Sequence, residues 1–239
     1  MKNNEVKFTL PMLEVPRTVR IKFQKVGNLQ YVSHLDLQRS FNRVLVRAGL
    51  PLWYTKGFNP HIKMVFGMPL PVGSESECEM LDVRVEREMS CEEIKDRLNA
   101  ELTDELRVLE VYPAERKFGE IAYAEYDYEI FTTGADEAMA AAVADTLQNG
   151  PMTVTRRTKA TEGEVDIRSF IHRFAVSLEG GAIRINAVLS AGEGNYLNPE
   201  LPVTALRTHL GILSGNPTEE RYRILRRRAL TADGETEFR

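Results

Sequence analysis

Apolar residues recur along the chain with two periods, one typical of strands and one typical of helices. Apolar and polar residues alternate from Thr18 to Phe23, which predicts a half-buried first strand. After Ser33 the apolar residues recur at helical spacing and stop before Gly49, with Asp36 three residues after the predicted N-cap. The sequence therefore predicts a strand followed by a helix of about four turns.

The remaining periodicity completes one βαββαβ unit and then predicts a second. In the first half we predict strands at residues 62–68, 79–86 and 106–111 and a helix, capped by Ser90, at residues 91–102. In the second half we predict strands at residues 123–131, 152–158, 172–178, 182–189 and 222–230 and helices at residues 135–148 and 202–213. The predicted fold class is α+β, with two tandem ferredoxin-like (βαββαβ) domains that share no obvious sequence repeat.

The chain length supports two domains, since 239 residues exceed one typical domain of roughly 100 to 150 residues. The predicted segments are an N-terminal extension (1–16), a ferredoxin-like domain carrying the candidate site (17–112), a linker (113–120), a second ferredoxin-like domain (121–231) and a disordered tail (232–239). The tail prediction rests on the ending ADGETEFR.

Composition narrows the classes of protein that fit. With 43% hydrophobic and 28% charged residues, the chain can bury a core without disulfides or a structural metal. Cys78 and Cys91 lack the paired spacing of a thiolate metal site or an iron–sulfur cluster, which favours a reduced compartment. We find neither a signal peptide nor a stretch of roughly 20 apolar residues, so we expect a cytoplasmic protein with no membrane partner.

The distribution of charge matters more than the net charge of −4, which is unlike that of a generic polyanion-binding protein. Basic residues group at 17–25, 39–63, 156–159 and 221–228, whereas acidic residues gather at 75–129. A one-sided basic surface is therefore compatible with an acidic total.

The predicted helix after Ser33 carries apolar and basic side chains on opposite sides. Its apolar stripe consists of Leu37, Phe41, Val44, Leu45 and Ala48, and its other side of Asp36, Arg39, Arg43 and Arg47. Only Asp36 lies within reach of this arginine ladder, at i, i+3 from Arg39. We therefore expect an acidic group near the ladder. That group is either a bound anion or, in the alternative interpretation, acidic side chains of the protein, with solvent shielding the rest.

Aromatic and basic residues interleave directly after this helix, as they do on surfaces that bind single-stranded nucleic acid. Arginine also suits the clamping of phosphate or carboxylate groups. The predicted substrate- or anion-binding residues are Arg39, Arg43, Arg47, Trp53, Tyr54, Lys56, Phe58, Asn59 and Lys63. A solvated charged face is the alternative interpretation.

Two histidines belong to the same stretch of sequence. His34 falls on the apolar side of the predicted helix and is expected to be half-buried, either as a structural histidine or as part of the chemistry. In the functional interpretation His34 and His61 are the catalytic residues, an acid–base pair contributed by helix and loop. With Asp36 they would form a metal site, but three scattered ligands are a weak signal, and we predict no metal and no cofactor.

Turn-forming residues follow the helix. Gly57 and Asn59 tolerate positive φ and Pro60 restricts the backbone before His61, which predicts a tight turn. Residues 68–73 are too constrained to continue a strand. One interpretation is an anion-binding nest formed by free amides near the last glycine and Ser74, and the preferred interpretation is the wall of a cleft. The predicted structural residues are Ser33, Asp36, Gly57, Pro60, Pro69, Pro71 and Gly73.

Four motifs together resemble a known bacterial family. They are Ser33-His34-Leu35-Asp36-Leu37-Gln38-Arg39, Arg47-Ala48-Gly49-Leu50-Pro51, Gly57-Phe58-Asn59-Pro60-His61 and Pro69-Leu70-Pro71-Val72-Gly73. In this order they resemble the radical-SAM-linked protein family, a domain of unknown function, most closely over residues 17–76. Val165-Asp166-Ile167-Arg168 resembles a shorter family element. Where the family has a proline and an arginine after the loop histidine, this chain has Ile62 and Lys63.

The resemblance implies an accessory role. Members of that family are encoded beside, or fused behind, a cobalamin-binding-type radical S-adenosylmethionine (SAM) protein, which is therefore the implied partner. The chain has no CxxxCxxC motif, so any iron–sulfur chemistry would belong to that partner. The family carries over no catalytic residue.

Three functions are compatible with these observations. The first is a non-catalytic accessory subunit that presents an anionic substrate, RNA in particular, to a radical SAM enzyme. The second is an RNA-processing enzyme that uses the His34 and His61 pair. The third is a protein–protein adaptor without nucleic acid, whose arginines meet acidic patches on the partner.

Overall fold

The computed structural model of the chain describes residues 10–157 and 162–239. The chain divides into two units, one ending at Phe118 and also including Arg239, the other spanning Gly119–Phe238. The last residue of the strand predicted at 152–158, and residues 158 and 159 of the predicted basic cluster, lie outside the described residues.

The described part of the first unit is a small antiparallel sheet with two helices. Its elements are β1 (Met12–Lys25), α1 (His34–Arg47), β2 (Val65–Phe66), β3 (Glu75–Arg87), α2 (Cys91–Asn99) and β4 (Val108–Pro113). β1 pairs with β3 on one side and with β4 on the other, and β2 pairs with β3, which gives the strand order β4-β1-β3-β2. Alternate residues of these strands therefore face the helices.

α1 has the limits and the apolar stripe that the sequence predicts. The Ser33 hydroxyl accepts a hydrogen bond from the Asp36 amide at 3.2 Å, which caps the first turn. The predicted stripe is buried, and Phe41 meets Phe23 of β1 and Phe66 of β2 at ring-centroid distances of 4.6 and 6.1 Å. Beyond the helix, Gly49 adopts φ of 65°, a left-handed conformation that favours glycine at a helix end.

The second unit is also built on an antiparallel sheet with two helices among its described residues. Its elements are β5 (Tyr123–Phe131), α3 (Glu137–Gln148), β6 (Thr153–Arg157), β7 (Glu162–Asp166), β8 (Ile171–Glu179), β9 (Ala182–Gly192), β10 (Asn195–Tyr196), α4 (Glu200–Leu210) and β11 (Arg221–Leu230). β5 pairs with β9 and β11, and β9 pairs with β8, which gives the order β8-β9-β5-β11. β6 and β7 form a separate hairpin, and β10 pairs with β9.

The α+β fold class is confirmed, and the differences from the predicted elements have local causes. β1 begins at Met12, within the stretch predicted as an N-terminal extension. β2 is only two residues long because Ile62, earlier in the predicted strand, pairs with Tyr54 instead of β3. α2 ends at Asn99, whose side chain bonds the backbone carbonyl and amide of Val108 at 3.0 and 2.8 Å.

The end of the chain is ordered, contrary to the predicted disordered tail at 232–239. Asp233 accepts hydrogen bonds from the Thr236 hydroxyl at 2.5 Å and from the Glu235 and Thr236 amides at 3.0 and 2.9 Å. These bonds hold a turn and, with the Thr236 hydroxyl contributing most, lower the pKa of the Asp233 carboxyl group. The Phe238 amide then donates to the Ala229 carbonyl at 2.8 Å, and the Phe238 side chain is 2% exposed. The burial of this one aromatic residue holds the segment in place, and the mostly polar composition of the segment does not predict it.

No helix among the described residues is long and apolar enough to cross a lipid bilayer. The longest, α1, has 14 residues.

Replacing Phe41 tests the packing of α1. Phe41→Ala should lower the free energy of unfolding of the first unit by about 3–5 kcal/mol, because it removes a buried ring and leaves a cavity. Val46→Ala, on the half-exposed side of the same helix, should change it by less than about 0.5 kcal/mol. Denaturant unfolding followed by fluorescence of Trp53, the only tryptophan, measures both. Equal effects of the two substitutions would show that α1 is not held by this stripe.

Candidate functional site

The arginine ladder lies on the outer face of α1, away from the sheet. Arg39 contacts Asp36 at 3.1 Å, and Arg47 contacts Glu101 at 2.5 Å, so acidic groups of the same unit supply the expected partners. Arg43 has no ion-pair partner among the described residues. These pairs are largely exposed, and such surface pairs contribute only about 0–1 kcal/mol each. The ladder is thus mostly neutralised without a ligand.

Residues 55–61 form a closed loop that projects from the edge of the sheet. Tyr54 pairs with Ile62 in an isolated bridge, and the Thr55 amide donates to the His61 carbonyl at 2.9 Å. The His61 amide donates in turn to the Thr55 hydroxyl at 3.1 Å. Gly57 has φ of 142° and belongs to the predicted turn. At the tip, Phe58 has a relative exposure of 112%, so its ring contacts nothing that shields it from solvent.

Trp53 lies beside β3 at the base of this loop. Its amide donates to the Arg84 carbonyl at 2.9 Å, and the Arg84 guanidinium carbon is 5.4 Å from the centre of the indole ring. The neighbouring pair Leu52 and Val85 is buried in the core beneath α1. Because side chains alternate along strands, Trp53 and Arg84 lie on the sheet face turned away from α1.

Further cations and an aromatic ring lie in and beside the loop. Lys56 and Phe58 are exposed within it, and the exposed Lys63 follows Ile62, at which the bridge to Tyr54 closes the loop. We call Trp53, Arg84, Lys63, Lys56 and Phe58 the aromatic–cation surface. Among the described residues, none of its three cations has an ion-pair partner. This absence of ion pairs distinguishes the surface from the arginine ladder.

The residues predicted as one anion-binding site are therefore divided between two faces of the first unit. The ladder lies on the helix side, as does the partly exposed Tyr54, whose partner Ile62 is buried in the core. Asn59 lies in the loop, where its carbonyl is 3.1 Å from the His61 Nδ1 atom. Arg84 was missed as a site residue, although the alternation of β3 places it on the outward-facing side with Asp82.

The two histidines have different neighbours. His34 is exposed rather than half-buried, because the buried stripe of α1 begins only at Leu37; the edge of its ring meets Phe66 at 5.0 Å. The His61 Nδ1 atom lies 3.0 Å from the Thr55 hydroxyl. These contacts give no acid–base pair, and no group of three or more potential metal-ligating side chains occurs in the described part of the chain.

The segment from Met68 to Gly73 does not offer free amides to an anion. The Gly73 amide donates to the Gln30 carbonyl at 2.9 Å, and the Ser74 amide donates to the Pro71 carbonyl at 3.2 Å. Because both amides are already bonded, they do not form the anion-binding nest that was the alternative to a cleft wall. The first of these bonds ties the proline-rich segment, with its exposed Pro69, to the turn that precedes α1.

The first turn of α1 has its own electrostatic arrangement. The Ser33 hydroxyl and, next in importance, the Arg39 guanidinium lower the pKa of the Asp36 carboxyl group by hydrogen bonding to its charged form. A lowered pKa in the folded state stabilises the fold above the unfolded pKa, and that stabilisation is lost as the pH falls through the folded pKa.

The comparison with protein families matches residues 18–199 to a family described as "Uncharacterized protein conserved in bacteria (DUF2344)". The chain belongs to this family. The match includes all of α1, the loop at 55–61 and β3, and continues through the second unit to the start of α4. The aromatic–cation surface thus lies within the residues that match the family. No curated protein matches the chain.

Two solved structures are similar to this family member. A chain of "Crystal Structure of a Cbf5-Nop10-Gar1 Complex" is 12% identical and covers 88% of this chain and 48% of its own length, with a TM-score of 0.45. "Crystal Structure of an Unknown Protein from Galdieria sulphuraria" is 10% identical and covers 89% of this chain and 99% of its own length, with a TM-score of 0.28. The chain thus spans less than half of the first structure. Similarities this weak carry no functional inference.

A titration of Asp36 tests the cap and its electrostatics. In Ser33→Ala the pKa of the Asp36 carboxyl group should rise towards its ordinary value, because the hydrogen bond that contributes most to stabilising the charged form is lost. Ser40→Ala, on the exposed side of the same helix, should leave this pKa unchanged. Carboxyl chemical shifts followed by NMR across acidic pH measure both. An unchanged pKa in Ser33→Ala would contradict the assigned role of the hydroxyl.

Proposed function

We propose that this protein is a non-catalytic accessory subunit that binds an anionic substrate, RNA, and presents it to a radical SAM partner enzyme. The observation that carries the proposal is the aromatic–cation surface of the first unit. Arg84 lies against the partly exposed indole ring of Trp53, and the exposed loop region adds Lys56, Lys63 and the fully exposed ring of Phe58. None of these three cations has an ion-pair partner among the described residues. Phosphates and stacked bases of a single strand provide complementary groups for both.

Each part of the surface has a distinct task in this proposal. Arg84 lies against Trp53 and the exposed Lys63 follows the loop, so we assign to these two cations the phosphates next to a base stacked on the indole. Phe58, at the loop tip, offers a second stacking platform, and the hydrogen bonds of Thr55 hold that loop closed. Stacking of this kind tolerates any base sequence.

The two units have the form of tandem ferredoxin-like domains in this proposal. The order β4-β1-β3-β2 in the first unit has the same pattern as β11-β5-β9-β8 in the second. In the first unit a helix follows β1 and β3, and in the second unit a helix follows β5 and β9. The β6–β7 hairpin is then an insertion into the second domain.

The partner is proposed from the family resemblance and from what the chain lacks. The resemblance implies a radical SAM protein, whose iron–sulfur cluster needs cysteine ligands. Cys78 is buried and Cys91 is half-buried, and the sequence has no further cysteine. The cluster chemistry therefore belongs to the partner. His34 and His61 support an enzyme less well, since their contacts do not join them.

An RNA titration followed by Trp53 fluorescence tests the proposed function. A mixed-sequence single-stranded RNA should quench the indole, with a slope of log K against log salt of about −2 from three phosphate contacts. Arg84→Gln should reduce the size of that slope by about 0.7, because one contact is lost. Phe58→Ala should weaken binding by about 1–3 kcal/mol through lost stacking.

Arg43→Gln is the matched control, because Arg43 is also an unpaired exposed arginine but lies on the outer face of α1. It should leave both the affinity and the salt slope unchanged. Absence of quenching and of binding at low salt would refute the RNA proposal. An effect of Arg43→Gln as large as that of Arg84→Gln would move the binding surface to the helix side.

A further inference from the structure

The second unit has a groove on the face of its sheet that is turned away from α3 and α4. The groove has a volume of about 310 Å³ and is lined by residues of all four strands of the sheet, β8, β9, β5 and β11. The opposite face carries the buried residues that pack beneath the helices, such as Tyr128 and Ile185 of the same strands. The charged residues that alternate with these buried residues along each strand therefore point into the groove.

The register of the strands arranges these charges in rows. Glu129 of β5 lies opposite Arg223 of β11 and Arg184 of β9. Two residues along β5, Asp127 lies opposite Asn186 of β9. Charges of opposite sign thus alternate across the floor of the groove, and both signs are accessible within one small volume.

Two arginines of the groove form ion pairs with its carboxylates. Arg184 lies 2.5 Å from Glu129 and 3.3 Å from Glu179, and Arg227 lies 2.7 Å from Asp127. The Arg184 and Arg227 side chains are 47% and 44% exposed, so solvent reaches both pairs. Pairs exposed to this degree contribute only about 0–1 kcal/mol each, and a ligand can exchange with them at little cost.

The pairing determines which ligand charge fits. An anion that takes an arginine leaves a carboxylate without its partner, and a cation that takes a carboxylate leaves an arginine without its partner. A ligand with both charges replaces both partners at once, so every charge stays paired. A long polyanion is disfavoured because Asp127, Glu129 and Glu179 all line the groove.

We propose that this groove binds a zwitterionic small molecule of the amino acid or short-peptide class. The ligand carboxylate bonds Arg184, whose guanidinium offers a bidentate fork, and the ligand ammonium group bonds Glu129. The size of the groove is at the lower end of the roughly 300–1,000 Å³ that is usual for small-molecule sites. Leu225 and Ala175, which also line the groove, provide apolar contact for a side chain of the ligand.

The first experiment uses the unaltered chain. The twenty common amino acids and the dipeptide leucyl-phenylalanine are screened by thermal shift, and the best probe is titrated into isotopically labelled protein. At least one probe should bind with a Kd of about 1 mM or tighter. The amide signals that move should belong to residues 175–179, 184–186 and 223–227. Absence of binding at about 10 mM for every probe, or signals that move elsewhere, would overturn the proposal.

Derivatives of the best probe then test the exchange of charges. Its N-acetyl form lacks the ammonium group and its amide form lacks the carboxylate, and each should bind about tenfold more weakly than the parent. Equal binding of parent and both derivatives would show that the groove does not recognise a zwitterion. This comparison needs no variant and holds if a substitution prevents folding.

Two variants assign the ends of the ligand. Arg184→Met should bind the parent about tenfold more weakly and no longer distinguish it from the amide form. Glu129→Gln should weaken the parent likewise and no longer distinguish it from the N-acetyl form. Arg173→Met, on β8 outside the groove lining, should bind like the unaltered chain. If Arg184→Met kept full discrimination between parent and amide, the assignment of the carboxylate to Arg184 would be wrong.

Discussion

The burial of α1 against β1, β2 and β3 is the constraint on which the first unit depends. Phe41 is fully buried and meets Phe23 and Phe66, so the helix has only one way to face the sheet. Once that orientation is set, the alternation of side chains along β3 and the 3.6-residue period of α1 determine on which face each polar residue lies. The arginine ladder must point away from the sheet, and Arg84 must lie on the sheet face that the helices leave open.

This constraint explains why similar charges have different roles on the two faces. Arg39 and Arg47 on α1 already contact carboxylates, and the helix carries no exposed aromatic ring beside them. On the other face Arg84 lies against Trp53, and no carboxylate takes up its charge. The second unit shows a third arrangement, in which arginines and carboxylates pair within a groove. Cations without carboxylate partners suit a polyanion, whereas paired charges suit a ligand that carries both signs.

The sequence predicts those features that depend on local interactions. The limits of α1, its Ser33 cap and its buried stripe all follow from residues within a few positions of one another. Features that depend on distant partners do not follow in this way. Asn99 ends α2 because Val108 lies beside it, and Phe238 is buried although its neighbours in sequence are polar.

The candidate site illustrates the same limit. Periodicity identifies which side of α1 carries the ladder. The face on which Trp53 lies depends instead on the pairing of Leu52 with Val85, two residues far apart in sequence. For the same reason periodicity does not reveal that the Gly73 amide bonds the distant Gln30 carbonyl. The alternation of β3 does place Arg84 on the outward side, but its contact with Trp53 again depends on the pairing of residues far apart in sequence. For His34 the predicted position in the first turn of α1 is correct, but the predicted half-burial is not, because the buried stripe starts only at Leu37.

The central claim is that the first unit binds RNA on the sheet face that carries Trp53, while the arginine face of α1 is not part of the binding surface. The most direct measurement is photo-crosslinking of a single-stranded RNA containing 4-thiouridine, followed by mass spectrometry of the protein peptides. We predict crosslinks to the peptides that contain Trp53 and Phe58. Crosslinks confined to α1, or to the second unit, would contradict the account.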